Sequence, residues 1–249
     1  MQSFIKMPNL PSGKVTAVAI SAEAKSAINA LTNMGIECIK VESHPDLDSP
    51  VGSHADMLIH HLGNKNILLA KKQDKLMQIL KVLRFNAKYI NEDLADKYPF
   101  DCLLNAARIG NKLFCGRYIS NQLSEYCEKN NVEIIRVRQG YAKCSVCVLD
   151  ENTIITDDTG IDAAAKREGI DSLLISHGGI KIEKYSYGFI GGCCGKIAKN
   201  ILAFNGDISK HKDYREIKAI ADNCGVEVIC LHDGLLTDIG GILPLIESV

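Results

Sequence analysis

The sequence lacks tryptophan and has only six prolines in 249 residues. Those two scarcities add little by themselves. Other absences exclude more. There is no excess of charge of either sign: 29 Lys and Arg stand against 30 Asp and Glu, a net charge of −1. The basic residues are scattered, so the electrostatic footprint of a nucleic-acid binder is missing. No apolar run is long enough to span a bilayer, and MQSFIKMPNLPSGK at the N-terminus has no apolar h-region. The expectation is a cytoplasmic protein without a membrane or nucleic-acid partner. No GxGxxG or GxxxxGK[ST] follows a strand, so neither a dinucleotide nor a P-loop site is indicated, and no cofactor is expected. What is present is a 46% hydrophobic composition, ample for a core, and ten cysteines. Without a secretion signal those thiols are expected to be reduced. Cys38, Cys127, Cys224 and Cys230 read as small buried hydrophobes.

The chain also repeats itself. GIECIKV from Gly35, NVEIIRV from Asn131, GIDSLLI from Gly169 and GVEVICL from Gly225 share one pattern, and FNAKYIN from Phe85 is a degraded copy. Each follows a helical stretch, and each helix follows two short apolar runs that read as a hairpin. The unit is therefore ββαβ. Units are read at about 56–91, 101–138, 144–176 and 187–231. The fifth joins 236–249 to 15–42, so the terminal strands would lie side by side. Gly35, Gly169 and Gly225 sit where a helix C′ glycine belongs. Ser120 reads as a helix N-cap. A doubly wound sheet also alternates strands and helices, but there one strand usually precedes each helix.

A five-fold ββαβ ring of this length resembles the pentein superfamily of guanidino-group modifying enzymes. The resemblance is carried by the repeat order and by the glycine pairs Gly191-Gly192 and Gly240-Gly241 on the first strand of a unit. It implies an α/β fold: a single five-fold pseudo-symmetric propeller over 1–249, closed by the N- and C-terminal strands. It also implies chemistry in which a thiolate attacks a guanidinium carbon, a His moves protons and carboxylates hold the cation. In those enzymes the cysteine follows a glycine-rich stretch in the last unit. Here that stretch is GGILPL, and Pro244 stands about where the thiol would be. Proline supplies neither a nucleophile nor a backbone N–H.

Aligning the first strand of each unit gives one shared position: His60, Asn105, Cys147, Gly191 and Gly240. On that alignment Cys147 is the nucleophile, His60 the general base and Asn105 an orienting group. Asp56, four residues before His60, would orient it or bind a cation. The glycines would let a ligand or a backbone approach closely. Asp158 in TDDTG, and Asn205 with Asp207 in FNGD, stand at unit mouths. They either cap the elements that follow or recognise a cationic ligand. The Cys144–Cys147 CxxC and the vicinal Cys193-Cys194 have the wrong strand spacing for a metal knuckle, so no metal is expected. His44, His54 and His232 lie in loops without visible partners. Loops at 42–55, at Gln139-Gly140-Tyr141 and at Tyr185-Ser186-Tyr187 could cover one mouth.

Two functions remain open. One is a Cys-dependent hydrolase or transferase acting on a cationic guanidino or amidino small molecule. The other is a non-catalytic pentein-fold binder of a metabolite or macromolecule, like the pentein-like translation initiation factor.

Overall fold

The computed structural model describes residues 2–248. A short strand β1 (Gln2–Phe4) leads into β2 (Lys14–Ser21), α1 (Lys25–Asn33) and β3 (Glu37–Val41). A single helical turn α2 (Ala55–Leu58) then precedes β4 (Ile59–Gly63), β5 (Asn66–Leu69), α3 (Asp74–Val82) and β6 (Asn86–Tyr89). Next come β7 (Ala107–Ile109), β8 (Lys112–Cys115), α4 (Asn121–Lys129) and β9 (Glu133–Arg136). They are followed by β10 (Val146–Val148), β11 (Thr153–Thr156), α5 (Thr159–Arg167) and β12 (Asp171–Leu174). Finally there are β13 (Cys194–Ala198), β14 (Ile201–Phe204), α6 (Tyr214–Asn223), β15 (Glu227–Cys230) and β16 (Leu243–Ser248).

The strand pairing repeats as the sequence does. β4, β7, β10 and β13 each pair antiparallel with the next strand. The strand after each helix returns parallel to the strand before it: β5 with β6, β8 with β9, β11 with β12, β14 with β15, and β2 with β3. The remaining antiparallel partner comes from the far end of the chain, because β16 lies on β2 with Leu243 opposite Ala19. Three of the units form separate three-stranded sheets. The other two share one sheet in the order β1-β16-β2-β13-β14-β15, with β3 on β2, joined where Ala198 faces Lys14.

Local chemistry explains these elements. The helices bury one stripe each: Ala27, Ile28 and Leu31 in α1, and Leu76, Met77 and Leu80 in α3. Full burial of such a leucine contributes roughly 1.5–3 kcal/mol. Helices end in a left-handed residue that turns the chain back onto the sheet. It is glycine in three units (Gly35, φ 78°; Gly169, φ 73°; Gly225, φ 65°), and Arg84 and Asn131 hold similar angles after α3 and α4. Glu247, on β16, ties the chain ends together. Its carboxylate accepts hydrogen bonds from the Ser12 and Gly13 amides at 2.6 and 2.7 Å and from the Ser12 hydroxyl at 2.8 Å. Pro244 sits in β16 opposite Val18, just before an irregularity in the ladder, where a missing N–H is tolerated.

The second and third strands fall where the sequence puts them. The first strands do not. β4, β7, β10 and β13 begin later than the apolar runs that suggested them, and β16 starts only at Leu243. Each run opens instead with buried turns: Asp101 to Ala106, for example, is irregular and almost wholly enclosed. Smaller corrections follow. Ser120 does not cap α4 with its own oxygen. It donates to Glu92, whose carboxylate accepts from the Asn121 amide at 2.8 Å. α6 starts at Tyr214, preceded by a separate 3-10 turn at Ile208–Lys210. In α3, Ile79 faces outward, 40% exposed, and Met77 is buried. All ten cysteines are free thiols; Cys127 is buried, Cys38 and Cys224 are half-buried and Cys230 is exposed. No helix among the described residues is long and apolar enough to cross a membrane.

Candidate active site

The buried turns before the five first strands meet one another. Asp56 donates its amide to Gly240 O at 3.1 Å. Asn105 donates through Nδ2 to Asp56 O at 3.3 Å. Its Oδ1 accepts from the amides of Lys143 and Cys144 at 2.8 and 3.3 Å. Gly192 donates to Cys144 O at 2.9 Å, and Gly241 donates to Gly192 O at 2.8 Å. The hydrogen bonds thus pass from the segment at 54–58 through those at 105, 143–144 and 191–192 to that at 240–241, and back. They satisfy backbone groups that no strand ladder reaches.

Glycine is required where these turns touch. A Cβ on Gly191 would overlap the carbonyl oxygens of Val146 and Lys143. One on Gly192 would run into the Asp238 carboxylate, and one on Gly240 into the Cβ of His54. Gly240 also holds φ 73°. The glycines therefore admit neighbouring protein rather than a ligand, and neither Gly191 nor Gly240 borders the cavity beside the junction.

That cavity, about 210 Å³, opens on one side of the junction. Four chemistry-bearing side chains line it: His54, Asp101, Cys144 and Asp238. Tyr141, Tyr185, Tyr187 and Phe189 supply aromatic walls, with Tyr141 and Phe189 stacked at 6.4 Å between ring centroids. The loops around Tyr141 and Tyr185 that the sequence offered as covers do border it.

The cavity polar groups are held firmly. The Cys144 thiol donates to Asp56 Oδ2 at 3.1 Å and receives a hydrogen bond from Asn105 Nδ2 at 3.0 Å. Asp238 accepts from the amides of Phe189 and Gly240, both at 3.0 Å, and its Oδ1 lies 3.7 Å from His54 Nδ1. Tyr141 donates its hydroxyl to Asp101 at 2.5 Å. Three buried atoms here have no hydrogen-bond partner: His54 Nδ1, Asp56 Oδ1 and Asp101 Oδ1. Burial pushes the Asp56 carboxyl above its ordinary range, with His54 and Lys143 pulling part-way back. Burial, and then the charges of Asp56 and Asp238, raise the Cys144 thiol well above its usual value. Burial and the bond to Asp101 raise the Tyr141 phenol.

The residues singled out from sequence are divided. Asn105, fully buried, is the hub of the junction and touches Asp56 and Cys144. No hydrogen bond joins His60 to Cys147. His60 is engaged by Leu104 O at 3.1 Å, and burial lowers its pKa to about 4. It lines a separate void of about 20 Å³ with Asp56, Arg108 and Pro244. The Cys147 thiol pairs with that of Cys194; that bond and burial hold its pKa well up. Neither residue borders the 210 Å³ cavity. Asp158 caps α5 by accepting from the Ile161 amide at 2.8 Å. Asp207 caps the turn at Ile208 by accepting from the Ser209 amide at 3.0 Å. Asn205 bridges Thr237 O and His232 Nε2. None of these three lines the cavity. His44 also has partners, Lys71 O and the Asp46 amide.

The sequence reading passed over Asp101 and Asp238, and left His54 and Cys144 without a role at this site. One signal was available: an acid stands among apolar or glycine residues before three of the first strands, in ADML, DCLLN and TDIGG.

Solved structures share this architecture. An amidinotransferase from Microseira wollei of the saxitoxin biosynthetic pathway matches with a TM-score of 0.59 at 10% identity, over 91% of each chain. DDAH from Pseudomonas aeruginosa, complexed with citrulline, matches with a TM-score of 0.54 at 10% identity, over 87% of this chain and 92% of that one. An agmatine deiminase of C. jejuni matches with a TM-score of 0.53 at 10% identity, over 92% and 91%. These are pentein superfamily members, and the chain has the pentein α/β fold. Residues 19–243 match a family described as "Family of unknown function (DUF6873)", and the chain belongs to that family. No curated protein matches the sequence.

Proposed function

We propose that the 210 Å³ cavity receives a small cationic molecule bearing a guanidino or amidino group, and that Cys144 attacks it. The observation that carries this reading is the lining: one thiol, one imidazole and two carboxylates within aromatic walls. Asp101 and Asp238 pair with the planar cation, and the tyrosines and Phe189 lie against its faces. Asp56, already the acceptor of the Cys144 S–H, takes the thiol proton. The thiolate then forms a C–S bond to the guanidinium carbon. A C–N bond breaks as the amine leaves with a proton delivered by His54. Water completes hydrolysis, or a second amine accepts the amidino group, and the thiol is restored. The similar structures, an agmatine deiminase and an amidinotransferase among them, are of proteins named for the same kinds of small molecule.

The nucleophile in this reading is Cys144 rather than Cys147, with His54 in place of His60. A five-fold propeller formed as one domain over 1–249 belongs to the same reading. It is supported by β16 on β2 and by the hydrogen bonds that link the five pre-strand turns in sequence.

One feature favours binding without turnover: Cys144 is buried beside two acids, which push its thiol pKa up. A single experiment separates the readings. Guanidino and amidino compounds are screened by thermal shift, and any binder is assayed for ammonia, ureido product or amidino transfer. Turnover that disappears in Cys144→Ser and survives in Cys147→Ser is expected. Binding without turnover moves the protein to the non-catalytic reading. Absence of binding by any compound, or loss of turnover only in Cys147→Ser, overturns the assignment.

A further inference from the structure

We propose that His54, Asp56 and Cys144 form a binding site for one divalent transition-metal ion of the zinc class. One donor atom from each residue lies within 4.8 Å of the other two. All three residues are more than nine-tenths buried, at 3%, 1% and 4% exposure. Two of the potential donors, His54 Nδ1 and Asp56 Oδ1, are buried without any hydrogen-bond partner. Native interiors rarely leave polar atoms in that condition, and two in one cluster point to a missing occupant. The Lys143 ammonium lies nearby but is engaged by Gly191 O, at 3.4 Å.

The donor set decides the class of ion. Imidazole nitrogen with thiolate sulfur disfavours magnesium and calcium, which take oxygen ligands. One nitrogen, one sulfur and one carboxylate oxygen suit a four-coordinate zinc-type ion whose fourth position stays open. Here His54 and Cys144 border the 210 Å³ cavity, so that position faces it. Asn105 supplies the outer support such sites use, because its Nδ2 donates to Cys144 Sγ at 3.0 Å. Binding replaces the Cys144 S–H bond by a sulfur–metal bond and releases the thiol proton to solvent.

This inference does not rest on the guanidino reading. Both use Cys144, so the metal-loaded protein has no free nucleophile and the two occupancies exclude each other. The test needs no substrate. Protein freed of metal by a chelator is titrated with Co²⁺. The expected result is one equivalent bound, with a near-ultraviolet thiolate-to-cobalt band and the visible bands of a four-coordinate site, both removed by Zn²⁺. Cys144→Ser is expected to lose the near-ultraviolet band. Asp56→Asn and His54→Gln are expected to weaken binding at least about tenfold, in line with loss of a ligand. Cys147→Ser is expected to bind as the parent does. A readout on the unaltered protein guards against misfolded variants: Zn²⁺ should protect Cys144 from iodoacetamide, as mapped by mass spectrometry. Absence of the cobalt band, or labelling of Cys144 unaffected by Zn²⁺, overturns the site.

Discussion

Asn105 gives the sharpest test of how the junction is held. Its side chain is fully buried. One oxygen serves two amides, Lys143 N at 2.8 Å and Cys144 N at 3.3 Å, and the amide nitrogen reaches Asp56 O and Cys144 Sγ. Asn105→Ala removes the only acceptor those contacts share. A buried donor left unsatisfied costs about 1–3 kcal/mol, so two orphaned amides give a loss of about 2–6 kcal/mol. That is a large share of the 5–15 kcal/mol that holds an ordinary domain folded. The assay is urea unfolding followed by circular dichroism, comparing midpoints at unchanged slope. Asn105→Leu separates hydrogen bonding from packing, since leucine restores the volume without the polar atoms. It is expected to lose as much as alanine. A loss below about 1 kcal/mol in alanine, or recovery in leucine, would refute the claim that hydrogen bonds through Asn105 hold the turns together.

Two further predictions concern stability. Gly240→Ala should cost more than Gly35→Ala, although both hold a left-handed φ, at 73° and 78°. At Gly35 nothing lies within 4 Å of the added carbon, so only backbone strain of about 1–2 kcal/mol applies, whereas at Gly240 the methyl also displaces His54. Equal losses by urea unfolding would contradict the close approach of the two turns. His61 should make the protein acid-sensitive. It is buried, its Nε2 meets Asn64 O at 2.8 Å, and its Nδ1 has no partner, so burial lowers its pKa to about 4 from the ordinary 6.5. The unfolded chain then binds the proton more readily than the folded one. This contribution is whole above pH 6.5 and is lost as the pH falls toward 4, an effect of about 3 kcal/mol. His61→Gln should flatten that part of the stability profile between pH 7 and 4, and an unchanged profile would count against it.

The periodic part of the fold was legible because burial imposed it on composition. Strands such as β9 and β15 carry a β-branched, half-buried pattern, and the glycines after α1, α5 and α6 mark left-handed turns. The first strands misled for a physical reason. The turn before each strand is as buried as the strand itself, so buried, mostly apolar residues run without a break from Asp101 through Ala107, or from Ala142 through Leu149. Hydrophobicity then marks enclosure, not extended backbone. Asn105 lies two residues before β7 and Cys144 two residues before β10, whereas Cys147 and His60 each lie one residue inside their strands. The alignment by apolar residues therefore mixed two structural levels. It found the hub in one unit and missed its counterpart by three residues in the next.

That register also bears on where a thiol can stand in this chain. The turn before β16 holds Gly240 and Gly241. A side chain at 240 would occupy the space of the His54 Cβ, and His54 in turn approaches Asp238 across the same turn. An imidazole entering from the loop before α2 and a side chain on the 240 turn are therefore alternatives, not companions. The thiol that borders the cavity comes from another unit. The turn before β10 offers Cys144, already bonded to Asp56 and Asn105 and facing the same cavity.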